Sequence, residues 1–229
     1  MVAKYDEGEF SIVEAYRSIR TSITVNQNIK TILVTSSEMN EGKTTTVSNI
    51  AQCFADLDKV KILLIDGDLR KPSLHRHFEI DNTYGLIDAL AQTRDLHECV
   101  KEVNNLHILT TGNKPSNAAE ILDSDKMRDF IQEVKKKYDY VFVDSPPVSR
   151  VNDACIMAKY IDGTIVVSAS NEINRELAKM TRTRLKKVNA NIVGVILNKY
   201  KSEGYSYYGY YGYGEEEKKS KFRLRKKRR

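Results

Sequence analysis

Six short runs dominate the chain: "TILVT" (31–35), "KILLID" (61–66), "LHILTTG" (106–112), "YVFVD" (140–144), "TIVVSAS" (164–170) and "NIVGVILN" (191–198). Each is apolar at nearly every residue and rich in β-branched side chains. That is the pattern of strands buried on both faces, as the strands of a parallel sheet are. The segments between them are long enough for crossover helices. The order predicts an α/β fold with a doubly wound, mostly parallel sheet whose ligands gather at the carboxyl ends of the strands.

Three regions follow from this pattern. Residues 1–28 hold "FSIVEAYRSIRTSI", a helix with a start signature at Ser11 and Glu14. Residues 29–200 form the α/β domain. After Tyr200 the periodicity stops, and residues 201–229 read as a flexible tail of Gly, Tyr and then charge. The net charge of +6 belongs to that tail: residues 218–229, "KKSKFRLRKKRR", hold nine basic and no acidic side chains, leaving 28 basic against 31 acidic in residues 1–217. A weakly acidic body argues against a nucleic-acid-binding face. No apolar run approaches the ~20 residues that span a bilayer, and "MVAKYDEGEF" lacks the apolar stretch of a secretory signal, so a cytoplasmic location is expected. Cys53, Cys99 and Cys155 are far apart and include no CxxC pair, which suggests neither a disulfide framework nor zinc. His75 and His77 read as a solvated loop.

The run 31–35 leads into "SSEMNEGKTTT" and then the helical pattern "VSNIAQCFADL". Strand, loop and helix in that order give Gly42-Lys43-Thr44 its meaning. Backbone N–H groups at a helix start cradle phosphate, Lys43 neutralises the β and γ charges, and Thr44 offers a hydroxyl to Mg²⁺. The chain therefore reads as a P-loop NTPase. Nucleotide contacts are expected at Asn40, Glu41, Gly42, Lys43, Thr44 and Thr45. The position that usually carries the loop's first glycine is Ser37. Two more runs end in aspartate, Asp66 with Asp68 in "ILLIDGD" and Asp144 in "YVFVDSPP". Three carboxylates at strand ends beside a phosphate loop are expected, with Thr44, to hold Mg²⁺ and its waters.

Between Tyr205 and Tyr213, six of nine positions are tyrosine: Tyr205, Tyr207, Tyr208, Tyr210, Tyr211 and Tyr213. Lying among Gly and Ser and next to "EEEKK", they lack the aliphatic neighbours that would bury them. In a chain with a phosphate-transfer site they read as phosphate acceptors; the alternative is an adhesive low-complexity tail.

Gly42-Lys43-Thr44, "LLIDGDLRKP" (63–72) with Asp66, Asp68 and Arg70, "VFVDSPP" (141–147) and the tyrosine cluster together resemble the bacterial tyrosine kinases of the CpsD/CapB type. The resemblance implies an ATP- and Mg²⁺-dependent protein-tyrosine kinase of capsule or exopolysaccharide systems that phosphorylates its own tail. It assigns catalytic roles to Lys43, Asp66 and Asp68, with Asp66 the candidate base and the choice among the three carboxylates open. It also places the adenine contact at Asn198, whose amide both donates and accepts; a turn residue is the other reading. Glu14, Arg17 and Arg20, at i, i+3 and i+6 of the first helix, match the family's ExxRxxR contact for a ring homo-oligomer, an octamer by resemblance; a Ser11–Glu14 capping box with solvated arginines is the plainer reading. The partner so implied is a membrane-bound activator that recruits the kinase to the inner face of the membrane. The competing class is the MinD/ParA-type positioning ATPases, which share this branch of the fold. Their signature is a second lysine five residues before Lys43, where this chain has Glu38. A third reading is a non-enzymatic interaction module.

Overall fold

The computed structural model describes residues 7–26, 28–170 and 174–200, with side chains from residue 12 onward. The tyrosine cluster and the basic run lie outside the described residues. In chain order the elements are α1 (Glu7–Thr24), β1 (Thr31–Ser36), α2 (Lys43–Ala55), β2 (Ile62–Asp66), α3 (Leu74–His77), α4 (Leu86–Ala91), α5 (Leu96–Cys99), β3 (Val100–Val103), β4 (Leu106–Leu109), α6 (Ala118–Leu122), α7 (Asp125–Lys137), β5 (Tyr140–Asp144), α8 (Asp153–Met157), β6 (Gly163–Ala169), α9 (Arg175–Lys187) and β7 (Ile192–Asn198). They build one seven-stranded sheet in the order β3-β4-β2-β5-β1-β6-β7. All neighbours run parallel except β3, which pairs antiparallel with β4.

Alternation along the central strands divides the core in two. Ile32 and Val34 of β1, Ile62 and Leu64 of β2 and Phe142 of β5 pack with Val47, Ile50 and Phe54 of α2 on one face. Leu33, Leu63, Ile65, Val141 and Val143 pack with Phe130, Ile131 and Val134 of α7 and with α8 on the other. Both faces are covered, which is why these runs are apolar at every position. Phe54 sits at the centre of the first layer, its ring 5.3 Å from Phe142 and 4.6 Å from Tyr140, centroid to centroid.

Three expectations need correction. The last run is not buried on both faces: β7 is an edge strand, and Val193, Val195 and Leu197 along one face are exposed. No helix among the described residues covers that face at the sheet margin. The first helix begins at Glu7, so Ser11 lies inside it and cannot cap it; Glu14 pairs with Arg17 instead, Arg17 Nη1 donating to Glu14 Oε1 at 2.6 Å. His75 and His77 belong to the short α3, where Leu74 is buried, and not to a loop.

Truncating a fully buried ring of this kind leaves a cavity between helix and sheet. Phe54→Ala is expected to destabilise the fold by about 3–5 kcal/mol, read from urea unfolding. A loss below about 1 kcal/mol would contradict the packing described.

Candidate active site

At the carboxyl end of the sheet, the loops after β1, β2 and β5 converge on a cleft of about 600 Å³. Its walls include Asn40, Gly42, Lys43, Thr44 and Thr45 from the first loop, Asp68, Arg70 and Lys71 from the second, and Pro146, Pro147 and Arg150 from the third.

The first loop is held by its own side chains. Asn40 (φ 63) and Gly42 (φ 86) take the left-handed conformation, and a side-chain carbon on Gly42 would run into the Asn198 amide. Ser37 is absent from the positive-φ positions, so a glycine there is not required. Glu41 is turned into the protein: its Oε2 accepts from Glu38 N at 2.8 Å, and its Oε1 from the Ser168 hydroxyl at 3.2 Å. Of the expected nucleotide contacts, Glu41 and Asn198 are the two that do not line the cleft. The Glu41 carboxylate braces the loop against β6.

Asn198, at the end of β7, lies beside this loop. Its Nδ2 donates to the Glu41 carbonyl at 3.0 Å. One N–H of the amide is used by the loop, which leaves the second N–H and the amide oxygen for a ligand.

The second loop is folded by two aspartates. Asp66 Oδ2 accepts from Ser73 N at 2.8 Å and Leu74 N at 2.9 Å, and Oδ1 from Asp68 N at 3.3 Å. Asp68 Oδ1 accepts from Lys71 N at 2.9 Å. Asp68 reaches the cleft wall; Asp66 lies fully buried behind it. At its base Gly67 N donates to the Asp144 carbonyl at 2.8 Å, an approach so close that a side-chain carbon would collide with it.

Asp144 ends β5 directly beneath Thr44, whose hydroxyl donates to Asp144 Oδ2 at 2.5 Å. The other oxygen, Oδ1, is buried without a hydrogen-bond partner. A buried carboxylate oxygen with no donor is costly unless a cation completes it. With Asp68 and the Thr44 hydroxyl, the donor set is all oxygen, the chemistry that Mg²⁺ takes. Burial pushes the Asp144 pKa up to about 6 against the pull of Lys43. Burial, with Asp144 next, pushes Asp66 up to about 7, and burial raises Asp68 as well.

Residues that the sequence reasoning missed frame the cleft. Asp153 at the start of α8 pairs with Arg70 through both carboxylate oxygens, and Arg150 Nε donates to Glu38 Oε1 at 2.6 Å. Neither pair has a sequence spacing that announces it. In α1, Arg20 Nη1 donates to the Cys53 carbonyl of α2 at 2.6 Å, so of the three strip residues Arg20 is tied to its own subunit.

The raised carboxylates set a pH dependence. Each holds its proton more tightly folded than unfolded, so they favour the fold in acid, and that contribution is lost as pH rises through about 6 to 7. Binding of a cation runs the opposite way, because it must displace those protons. Mg²⁺ affinity in the presence of ADP, measured by calorimetry, is expected to weaken as pH falls from about 7.5 to 5.5, with proton release at the lower value. Constant affinity across that window would contradict the assignment.

Comparison with known proteins places this geometry. The AAA-domain family matches residues 29–192. Tyrosine-protein kinase YwqD of Bacillus subtilis is 39% identical over 203 residues, covering 86% of this chain and 85% of YwqD. Tyrosine-protein kinase CpsD of Streptococcus pneumoniae is 34% identical over 204 residues, covering 86% of this chain and 89% of CpsD. Among solved structures, the kinase domain of the Escherichia coli tyrosine kinase ETK superposes with a TM-score of 0.78 at 30% identity, covering 85% of this chain and 79% of that one. With a phosphate loop, paired aspartate-bearing strand ends and this degree of identity along most of its length, the chain belongs to the bacterial tyrosine-protein kinases, enzymes built on a mostly parallel P-loop sheet.

Proposed function

We propose that the chain transfers the γ-phosphoryl group of ATP to tyrosines of its own carboxyl-terminal segment, Tyr205, Tyr207, Tyr208, Tyr210, Tyr211 and Tyr213, in the service of capsule or exopolysaccharide synthesis and export. The observation that carries the reading is the cleft itself: Lys43 at the helix start, Thr44 bonded to the buried Asp144, and the second oxygen of that carboxylate without a donor.

Lys43 and the N–H groups opening α2 hold the phosphates, and Pro146 and Pro147 give an apolar wall beside them. The phenol oxygen bonds to the γ-phosphorus, the bond from that phosphorus to the bridging oxygen breaks, ADP leaves, and the phenolic proton passes to a carboxylate. Asp66 is the candidate acceptor: its pKa of about 7 suits a base at neutral pH. It is covered by the Ser73 and Leu74 N–H groups, so a tyrosine reaches it only with a rearrangement of residues 67–73. Asp144, Asp68 and Thr44 would hold Mg²⁺, which supplies charge neutralisation for the transferring group.

The adenine ring is assigned to the neighbourhood of Asn198. Its amide oxygen can accept from the amino group of adenine while its second N–H donates to a ring nitrogen, the acceptor–donor pair that the adenine edge matches. ATP is expected to bind roughly tenfold more tightly than GTP in calorimetry. Equal affinities would contradict the assignment.

Glu14, Arg17 and Arg20 are proposed as the contact of a ring in which one subunit's tail enters the next subunit's cleft. No helix among the described residues is long and apolar enough to cross a membrane. The proposed recruitment to the inner face of the membrane therefore falls to a separate activator. The positioning-ATPase reading is weakened by Glu38: at the place of that class's second lysine stands a carboxylate bonded to Arg150.

Incubation with Mg²⁺ and ATP followed by mass spectrometry is expected to find phosphate on the six tyrosines, and Lys43→Met to reduce it about 100-fold or more without loss of fold. ATP turnover with no phosphotyrosine would instead support a positioning ATPase.

A further inference from the structure

Asp68 and Asp144, the two carboxylates beside the phosphate loop, stand on separate elements, Asp68 in the loop after β2 and Asp144 at the end of β5. The loop carrying Asp68 is joined to the end of β5 by the Gly67 N–H bond to the Asp144 carbonyl and, farther out, to the start of α8 by a paired contact. Arg70 Nε donates to Asp153 Oδ2 at 2.7 Å and Arg70 Nη2 to Asp153 Oδ1 at 3.1 Å. A two-point fork of this kind fixes orientation as well as distance, which a single bond would not.

The two ends of the fork differ. Asp153 is buried, its side chain 1% exposed, and Ala154, Cys155, Ile156 and Met157 after it are all buried in the core. Arg70 has 44% of its side chain exposed and projects from the loop that Asp66 closes. The carboxylate is the fixed point, and the loop is what it holds. Arg70 lines the cleft, yet its Nε edge is committed to Asp153. Two residues before it comes Asp68, whose turn is closed by the Lys71 N–H next to Arg70. On its other side, the segment leading to Asp153 is tied to the phosphate loop by Arg150 and Glu38.

We propose that Asp153 is a positioning residue for phosphoryl transfer, acting through Arg70 to hold Asp68 in register with Asp144 and the phosphate loop. The proposal rests on the reading of Asp68 and Asp144 as the carboxylates that take the cation. A residue of this kind touches neither nucleotide nor tyrosine. Its loss acts on the geometry of the oxygen set, so the first quantity to change is affinity for the cation. A purely structural ion pair would lower the melting temperature alone.

The experiment uses the full chain with Asp153→Asn, Asp153→Glu and Arg70→Lys. Mg²⁺ affinity is measured by calorimetry with ADP present, alongside thermal melting and the kinetics of tyrosine phosphorylation. Asp153→Asn is expected to weaken Mg²⁺ binding roughly 10- to 100-fold, the range for partners that orient metal ligands, and to lower kcat with KM for ATP little changed. Asp153→Glu, which keeps the charge, is expected to recover part of both. Arg70→Lys keeps the charge and loses the fork, and is expected to move Mg²⁺ affinity in the same direction. It also decides the matter should Asp153→Asn fail to fold. Parental Mg²⁺ affinity in Arg70→Lys, or a lowered melting temperature with unchanged affinity in Asp153→Asn, overturns the positioning role and leaves the kinase reading standing. Failure of the parent chain itself to bind Mg²⁺ with ADP overturns both.

Discussion

Everything at the catalytic end of this sheet answers to one constraint: three aspartates are buried side by side at the ends of β2 and β5. Asp66, Asp68 and Asp144 are all buried, and burial is the largest influence on each, pushing all three toward the protonated form. Such a cluster is tolerable because each carboxylate is given at least one donor. Asp66 is surrounded by backbone N–H groups, Asp68 by a turn of its own loop, and Asp144 by the Thr44 hydroxyl on one side. The remaining oxygen of Asp144 is the place where the protein's own donors stop, and where positive charge has the most to contribute.

Around that cluster the phosphate loop is held with little help from its phosphate-binding residues. Glu41 braces it from beneath and Asn198 pins its carbonyl from the side. Phosphate can thus be met by a loop already shaped, so that less ordering accompanies binding. Gly42 is the point where this design forbids a side chain, because both the left-handed backbone and the Asn198 amide stand against one.

The sequence was most legible where a residue's neighbours in the chain are also its neighbours in space. All six apolar runs are strands, and Lys43, Thr44 and Asp68 line one cleft with Asp144 buried beneath Thr44. β3 was missed because "VKEV" is short and half charged, which is how an edge strand protects itself from pairing with another chain. The exposed face of β7 was missed for a related reason: apolar residues on both faces read as burial, whatever the sheet order. Asp153 and Arg150 were out of reach altogether, since their partners Arg70 and Glu38 lie 83 and 112 positions away. The covering of Asp66 by Ser73 and Leu74 N–H groups is likewise invisible in "DGDLRKPSL". A motif announces a carboxylate; it does not say which way the loop around it folds.

The bond from Arg20 to the Cys53 carbonyl couples two distant parts of the protein through a single rod. α2 begins at Lys43, against the phosphates, and Cys53 lies ten residues along it, about 15 Å at the rise of an α-helix. Arg20 grips the far end of that rod, and Glu14 and Arg17 stand one to two turns away on the same helix. The outer helix is thereby anchored to the same rod whose first residue, Lys43, lines the reaction cleft.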